Sequence, residues 1–248
     1  MKQNIYDNAL FFKGYEEIRN RKFNYNNLLE RPNFLVLMPD VKGKVLLDLG
    51  CGKGEFANDC VLNGAQHVDA IDISDNMITA AKERYKSGRL HFQNISIEDI
   101  LLEESHYHLI TSALALHYVA DFEGIIEKVS RALCPEGVFL FSMEHPISTA
   151  NKGVEQWILD EKRTISHFAV ARYHDEGKRT ENWLVDNVVM YHRTIETIIN
   201  TLIINGLQIE KIVEPMPTDE AIELLPSLQK EQHRPSFLIV KARKTIKK

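Results

Sequence analysis

The hydrophobic pattern between residues 44 and 144 alternates between short apolar runs and longer amphipathic segments. Short apolar runs predict buried strands, and apolar residues three and four positions apart predict helices that pack on them. The predicted strands cover residues 45–49, 67–72, 90–96, 107–116 and 137–144. The predicted helices cover residues 55–63, residues 74–87, and a segment with Ile125, Ile126, Val129, Ala132 and Leu133 on one face. Alternating strands and helices form βαβ units with right-handed crossovers, so the pattern predicts an α/β fold with a parallel sheet.

The flanking segments predict further elements at both ends of the chain. An amphipathic N-terminal helix is indicated by an apolar face of Leu10, Phe11, Gly14, Tyr15 and Ile18. Residues 146–190 have no regular period, which marks them as an insertion. Thr194 can then cap a helix that ends at Gly206 and has an apolar face of Ile195, Ile198, Ile199, Leu202 and Ile203. Two closing strands follow at residues 207–215 and 236–244, and a short helix between them begins with Asp219 and Glu220.

Composition and charge narrow the classes of function. The 248 residues are 44% apolar and 26% charged, with a net charge of −5 and a pI of about 6.1. We therefore expect a globular protein without a nucleic-acid partner. The cysteines Cys51, Cys60 and Cys134 have no paired spacing, which is typical of a reducing compartment. No apolar stretch reaches membrane-spanning length and the N-terminus lacks a signal-peptide core, so we expect a cytoplasmic protein that does not contact membranes.

The stretch VLLDLGCGKGEFA, residues 45–57, joins a buried strand to three closely spaced glycines. Ligands of doubly wound sheets bind beyond the carboxyl ends of the strands, and glycines let the main chain approach a ligand that a Cβ would obstruct. Asp72 ends the second strand 18 residues after Gly54, where a carboxylate can accept the two hydroxyls of a ribose. The spacing is not the dinucleotide G-x-G-x-x-G, and Glu55 would oppose a diphosphate at the next helix. The turn therefore favours a nucleoside with a cationic group, and a purely structural turn is the alternative.

The glycine turn is followed by AIDIS, NISIEDI, YHLITSALALHYV and ALCPEGVFLFSMEHP, all within residues 41–146. Together these motifs resemble the class I S-adenosylmethionine-dependent methyltransferases, in particular the bacterial Methyltransferase-11 group. The resemblance implies a doubly wound, Rossmann-like α/β sheet of seven strands, mostly parallel, with the last strand antiparallel and helices on both faces. It also implies a single domain of residues 1–248, with a helical lid (1–40), a cofactor-binding core (41–146), a substrate-side insertion (147–190) and closing helices and strands (191–248).

The resemblance further implies S-adenosyl-L-methionine as the cofactor. Its expected contacts are Asp48, Gly50, Cys51, Gly52 and Gly54 at the methionine, Asp72 at the ribose, Ile73 and Met77 on the adenine, Ser96, Ile97 and Glu98 at the adenine edge, and Ser112 and Tyr15. Many relatives carry Asp where this chain has Ser96, so we expect main-chain groups or Glu98 to contribute there. Met77 can equally be core, and Tyr15 and Arg19 can be packing and solvated residues rather than a lid. Cys51 has no base near it in sequence and is expected to be a small spacer.

Three histidines fall where an acceptor should bind. His117 and His145 follow the fourth and fifth strands, and His192 precedes the Ile-rich helix. A hydroxyl or protonated amine must lose a proton, so we expect His145 and at least one of the other two to line a pocket as a general base. Hydrogen bonding to strand ends is the alternative. The residues expected to contact the substrate are Tyr118, Glu144, Tyr173, Glu176, Tyr191 and Arg193.

The expected function is methyl transfer to an oxygen, nitrogen or carbon atom of a small molecule. No Asn/Asp-Pro-Pro-aromatic tetrapeptide follows the fourth strand and no basic aromatic platform is visible, which disfavours nucleic acid. No H-E-x-x-H or C-x-x-C spacing occurs, so no metal site is expected. A nicotinamide-dependent oxidoreductase and a catalytically inactive methyltransferase-like binding protein are the alternatives. We expect a monomer or a homodimer.

Overall fold

A seven-stranded sheet is the framework of the protein. The computed structural model describes residues 3–151 and 157–245. Its strands are β1 (Val45–Leu49), β2 (His67–Asp72), β3 (Leu90–Asn94), β4 (Tyr107–Ala113), β5 (Leu133–Glu144), β6 (Trp157–Leu159), β7 (Ile165–Phe168), β8 (Gly177–Trp183), β9 (Val185–His192), β10 (Leu207–Val213) and β11 (Phe237–Lys244). The sheet has the order β10-β11-β5-β4-β1-β2-β3, and β11 runs antiparallel to both of its neighbours. This order confirms the expected Rossmann-like α/β sheet.

The helices of the described residues are α1 (Ala9–Arg19), α2 (Arg31–Val36), α3 (Glu55–Leu62), α4 (Asp75–Arg84), α5 (Phe122–Ala132), α6 (Pro146–Thr149), α7 (Ile195–Ile204) and α8 (Asp219–Leu224). All of them except α2 and α6 lie where the sequence predicted a helix, and α4 and α7 begin at the predicted caps. The hydroxyl of Ser74 accepts the Met77 amide at the start of α4, and the hydroxyl of Thr194 accepts the Thr197 amide at the start of α7. Cap residues act within one turn, which makes helix starts readable from sequence.

Three predicted details of the helices are wrong. α4 ends at Arg84 rather than at Ser87, because Tyr85 adopts an extended backbone with φ −120° and ψ 113°. Leu10 is 74% exposed and Ile203 is 55% exposed, so neither belongs to the buried face of its helix. Neighbouring helix residues point about 100° apart, so burial of Phe11 turns Leu10 outward.

Helices cover both faces of the sheet. Successive residues of β1 point to opposite faces, so Leu47 and Leu49 pack with apolar residues of α5 and α7, whereas Leu46 packs with those of α2, α3 and α4. Strands buried on both faces must be apolar at nearly every position, which explains the short apolar runs. With both faces covered, a ligand reaches the sheet only at its edges.

The insertion contains two β-hairpins that the sequence did not predict. β6 pairs with β7 and β8 pairs with β9, in both cases antiparallel. In β9, Val188 and Met190 are buried at alternate positions. In β8 the buried side chain is Arg179, which donates to the main-chain oxygen of Ala150 at 3.3 Å. A strand that buries an arginine against main-chain oxygens has no apolar signature, so the hydrophobic pattern could not identify it.

The N-terminal segment, residues 3–36, lies over the turns that follow β1 and β2. Asp7 accepts hydrogen bonds from the Ser74 hydroxyl at 2.6 Å and from the Asn76 amide at 3.2 Å. Glu16 of α1 forms an ion pair with Lys53, which lies in the glycine turn. The segment is therefore fastened to both turns by side chains far away in sequence.

We predict that Asp7→Ala releases this segment without unfolding the sheet. Burial acts to raise the pKa of Asp7, but hydrogen bonds from Ser74, Asn76 and Asp75 outweigh it and lower the pKa below its ordinary value. A lowered carboxyl pKa means that docking is strongest with the ionised group and weakens as the pH falls below about 4. Hydrogen exchange read by mass spectrometry should show loss of protection in residues 3–19 at pH 7 in the variant, and in the wild type only in acid.

Asp75→Ala is the matched control for this experiment. Asp75 is the first residue of α4, the helix whose Asn76 amide donates to Asp7. The Asp75 carboxylate makes no hydrogen bond among the residues that the structure describes. Protection of residues 3–19 in Asp7→Ala that equals the protection in Asp75→Ala would contradict the role given to Asp7.

Candidate functional site

A cavity of about 1640 Å³ lies at the carboxyl ends of the central strands. Its wall includes Asp48 of β1, Asp72 of β2, Ala113 of β4 and Glu144 of β5, with residues of the N-terminal segment and of the β8–β9 hairpin opposite them. Doubly wound sheets bind their ligands at this edge. The volume exceeds the roughly 300–1,000 Å³ typical of a pocket for one small ligand, so the cavity has room for two molecules.

The glycine turn is held by main-chain bonds to the end of β2. The amides of Gly50 and Cys51 both donate to the Ile71 carbonyl at 2.8 Å. Gly52 has φ +53° and no atom within 4 Å of the place where a Cβ would be, so it faces open space. A Cβ on Gly54 would instead overlap the Phe92 ring. At Gly54, packing within the protein rather than a ligand therefore excludes a Cβ.

Two buried carboxylates flank this turn. Asp72 accepts the Gly52 amide at 3.0 Å through Oδ2 and the Ser74 amide at 2.9 Å through Oδ1, and Asp48 accepts the Thr111 hydroxyl at 2.9 Å. Burial raises the pKa of Asp72, and it raises the pKa of Asp48 to about 7, with the negative charge of Asp72 adding to the effect. A ligand that brings hydroxyl donors to Asp72 and a positive charge to Asp48 would stabilise both ionised forms. The two carboxylates are hydrogen-bond acceptors, and as a pair they fit a ribose and a cationic group.

Most of the residues expected to contact the cofactor lie on the cavity wall. They are Tyr15, Asp48, Gly50, Cys51, Gly52, Asp72, Ile73, Met77, Ser96, Ile97 and Glu98. Ser112 does not, because its buried hydroxyl donates to the Leu49 carbonyl at 2.9 Å and ties β4 to β1. Gly54 is also absent from the wall and serves the packing of the turn. A direct cofactor contact is therefore not supported for Ser112 or Gly54.

Two of the wall residues have local roles that bear on a ligand. The Ser96 hydroxyl accepts the Glu98 amide at 3.2 Å and shapes the turn after β3, so main-chain groups of that turn face the cavity. Burial, with Asp48 and Asp72 nearby, raises the pKa of Cys51 well above its ordinary value. The thiol therefore stays protonated, which agrees with its expected role as a spacer.

Aromatic rings from three parts of the chain cover the cavity. The Tyr6 ring lies 5.0 Å from those of Phe11 and Tyr15 and 6.4 Å from that of Tyr118, between ring centroids. Trp183 of the β8–β9 hairpin packs on Phe11 at 5.2 Å. Tyr6 and Trp183 were not predicted, because each belongs to a segment without a recognisable motif. The cluster joins the N-terminal segment to the chain after β4, and its ring faces suit a cationic ligand group.

His117 is on the cavity wall, but its environment makes it a weak base. Its Nδ1 accepts the Glu144 amide at 3.4 Å, which leaves the proton on Nε2, 4.0 Å from a carboxylate oxygen of Glu144. Burial, followed by the charge of Arg193, lowers the pKa of His117 to about 3. The neutral ring therefore donates through Nε2 rather than taking up a proton near pH 7.

His145 and His192 do not reach the cavity wall, so the prediction that His145 and another histidine share one pocket is wrong. Both rings are fully buried. His145 accepts the amide that opens α6 at 3.1 Å and lies 2.8 Å from Glu214 Oε1. His192 donates to the Tyr173 carbonyl at 2.8 Å through Nε2 and pairs with a threonine hydroxyl through Nδ1. Both rings hold chain segments together, which was the alternative role.

Three of the expected substrate residues instead build the start of α7. The carboxylate of Glu176 accepts the amide and the hydroxyl of Thr194, both at 2.7 Å. The Tyr173 hydroxyl accepts the Ile195 amide at 3.0 Å, and Arg193 donates to two main-chain carbonyls after β4 at 2.6 and 2.9 Å. Tyr173, Glu176 and Arg193 are absent from the cavity wall, so a direct substrate contact is not supported for them.

We name the part of the cavity beyond β4 and β5 the acceptor half; its wall includes Glu30, Leu114, Tyr118, Glu144 and Tyr191. Tyr118, Glu144 and Tyr191 are three of the residues that the sequence analysis expects to contact the substrate. Glu30 was missed: in NYNNLLERP it follows two leucines and looks like a solvated helix charge. In the structure its side chain is buried, with 4% of its surface exposed.

Within residues 3–151 and 157–245, no group of three or more His, Cys, Asp and Glu side chains is arranged to hold a metal ion. No helix in that part of the chain is long and apolar enough to cross a membrane. Cys51, Cys60 and Cys134 are all free thiols.

Known proteins resemble this chain over nearly its whole length. The Methyltransf_11 family model, described as a methyltransferase domain, matches residues 47–141. An uncharacterized protein from Haemophilus influenzae is 37% identical over 256 aligned positions that cover 99% of each chain. A proposed S-adenosylmethionine dependent methyltransferase from Listeria monocytogenes is 40% identical, with a TM-score of 0.81 over 88% of this chain and 97% of that chain. An S-adenosylmethionine dependent methyltransferase from Mesorhizobium loti is 36% identical, with a TM-score of 0.81 over 87% of this chain and 97% of that chain.

We predict that Asp72→Ala weakens binding of S-adenosylhomocysteine. The carboxylate should accept two ribose hydroxyls in a partly desolvated site, and hydrogen bonds to charged groups contribute about 1.5–3 kcal/mol. Calorimetry should show an affinity loss of at least that size, and the ligand-free variant should stay folded but unfold at a lower temperature, because the Gly52 and Ser74 amides lose their acceptor. Asp69→Ala is the control, because Asp69 lies on the same strand and bonds His67, His91 and Tyr107 away from the cavity. Equal affinities of the two variants would show that Asp72 does not hold the ribose.

Proposed function

This chain belongs to the class I S-adenosylmethionine-dependent methyltransferases, and we propose that it methylates an oxygen, nitrogen or carbon atom of a small-molecule acceptor. S-adenosylmethionine supplies a methyl group activated by the positive sulfur, so the protein chiefly has to align the acceptor and exclude water. In this proposal Asp72 holds the ribose, Asp48 favours the cationic methionine end, and Gly52 leaves room for the ligand. The acceptor half receives the second substrate.

The covered cavity is the observation that carries the small-molecule proposal. Asp7 and the Glu16–Lys53 ion pair fasten the N-terminal segment over the glycine turn, and Trp183 brings the β8–β9 hairpin against that segment. A folded protein or a nucleic-acid duplex would have to displace both covers to place an atom in the acceptor half. The net charge of −5 also argues against a nucleic-acid substrate.

The strands and helices on both sides of the insertion support treating the chain as one methyltransferase unit. β10 and β11, from the end of the chain, complete the sheet that begins with β1, and α7 packs in the same core cluster as α5. We therefore place the cofactor site and the acceptor half in one domain, with the insertion as part of its cover.

The test is the distribution of label from methyl-tritiated S-adenosylmethionine in an extract of the encoding organism. We predict that label enters the small-molecule filtrate and that Asp72→Ala, measured in parallel, sets the background. Label in the protein or RNA fraction alone would contradict the small-molecule acceptor. Binding of S-adenosylhomocysteine with no label in any fraction would favour the inactive binding protein.

A further inference from the structure

Glu30 is a buried carboxylate at the carboxyl edge of the sheet, far from the motifs that identify the family. The Ser142 hydroxyl donates to Glu30 Oε1 at 2.5 Å. The other oxygen, Oε2, has no hydrogen-bond partner among the described residues, and Glu30 lines the cavity. A buried carboxylate with one satisfied oxygen and one oxygen left for a ligand is costly to the fold unless the ligand uses it.

A chain of direct contacts leads from the glycine turn to this carboxylate. Gly50 approaches Ala115 so closely that a Cβ on Gly50 would overlap the Cβ of Ala115. The preceding residue, Leu114, donates its amide to the Ser142 hydroxyl at 3.1 Å, and the same hydroxyl bonds Glu30. Glu30 is therefore anchored where β4 and β5 end, beside the turn that binds the cofactor.

The backbone around Glu30 has two irregularities of the kind that cluster at functional sites. Asn26–Glu30 is a π-helical turn, closed by a hydrogen bond from the Arg31 amide to the Asn26 carbonyl. Leu114 has a left-handed backbone with φ +53°, a conformation that is strained for a non-glycine residue. Leu29, next to Glu30, is fully buried in a cluster with Leu228 and Phe237. This packing holds the turn, and with it the carboxylate, in one position.

The charges around Glu30 leave it a better proton acceptor than an ordinary glutamate. Burial raises the pKa of Glu30, and the Ser142 hydroxyl, Arg19 and Arg31 only partly oppose the rise. The groups that face it are Arg19 and Tyr15 from α1 and Arg31 from α2, while the sheet contributes the Ser142 hydroxyl. Arg31 is already paired with Asp59 at 2.7 Å.

The other groups of the acceptor half are less suited to take a proton. The Nε2 atom of His117 already carries a proton, and its Nδ1 lone pair is occupied by the Glu144 amide. Glu144 lies 4.0 Å from that Nε2 and is more exposed than Glu30, with 31% of its side chain accessible. Glu30 remains the buried carboxylate with an available oxygen.

We propose that Glu30 is the general base of the transfer and that the acceptor therefore carries a proton on the atom that is methylated, as a hydroxyl or an amine does. The proton of the acceptor goes to Glu30 Oε2, and the lone pair of the acceptor atom forms the bond to the methyl carbon. The carbon–sulfur bond breaks with its electron pair going to sulfur, which becomes the neutral thioether. This inference rests on the proposed function and narrows its acceptor to protic oxygen or nitrogen.

The experiment compares Glu30→Gln with Glu231→Gln over a range of pH. Glu231 is a matched control, since it is equally buried, also accepts a serine hydroxyl, from Ser236 at 2.6 Å, and does not line the cavity. The assay measures the transfer of label from methyl-tritiated S-adenosylmethionine to the small molecules in the filtrate of the extract. The wild-type methylation rate should rise with pH as Glu30 loses its proton. In Glu30→Gln the rate should fall about 10²–10⁴-fold and should no longer rise with pH. Glu231→Gln should keep both the wild-type rate and its rise with pH. Affinity for S-adenosylhomocysteine should be unchanged in both variants.

A second measurement does not need turnover. In protein labelled with carbon-13 at the glutamate carboxyls, the resonance lost in Glu30→Gln should titrate above the ordinary glutamate range in the S-adenosylhomocysteine complex. Titration at or below that range, or a Glu30→Gln rate and pH profile equal to wild type, would overturn the proposal. A methylated product with the new methyl on carbon would overturn it as well, and the carbon-13 shift of the methyl separates an O-methyl from an N-methyl product. If the wild type binds S-adenosylhomocysteine but labels no small molecule, the proposed function fails and the role of Glu30 as general base fails with it, whereas labelling that is the same in Glu30→Gln and wild type overturns the role of Glu30 alone.

Discussion

The Asp72 carboxylate holds together the three segments that surround the candidate site. One oxygen accepts the amide of Gly52 in the turn after β1, and the other accepts the amide of Ser74 at the start of α4. The Ser74 hydroxyl in turn donates to Asp7 of the N-terminal segment. One buried carboxylate therefore sets the positions of the glycine turn, of α4 and of the N-terminal segment. A ligand that adds hydroxyl donors to Asp72 binds at the joint of all three.

Burial makes the site depend on its ligand. Burial raises the pKa of three carboxyl groups on the cavity wall, those of Asp48, Asp72 and Glu30. None of the three has a compensating cation within hydrogen-bonding distance among the described residues. Hydrogen-bond donors or positive charge brought by a ligand would therefore stabilise the ionised form of each carboxylate. S-adenosylmethionine carries both hydroxyls and positive charge, and a protic acceptor brings a proton. The electrostatics of the cavity thus match the two substrates of the proposed reaction.

The sequence predicted what depends on short-range features. The strands followed from apolar runs, the starts of α4 and α7 from Ser74 and Thr194, and the positions of Asp48 and Asp72 from the spacing around the glycines. It misjudged His145 and His192, because position after a strand or before a helix does not say whether a ring points to the cavity or into the core. It missed Glu30, whose defining contact is with Ser142, 112 residues later in the chain. The β8–β9 hairpin was missed because a buried arginine replaces the apolar side chains that mark a strand.

A crystal structure of the complex with S-adenosylhomocysteine tests the central claim most directly, namely that this edge of the sheet binds the cofactor with its sulfur toward the acceptor half. The account predicts that the ribose hydroxyls donate to Asp72 and that the sulfur faces the space between Leu114 and Glu30. Ribose hydroxyls bound away from Asp72, or a sulfur directed away from Glu30, would contradict it.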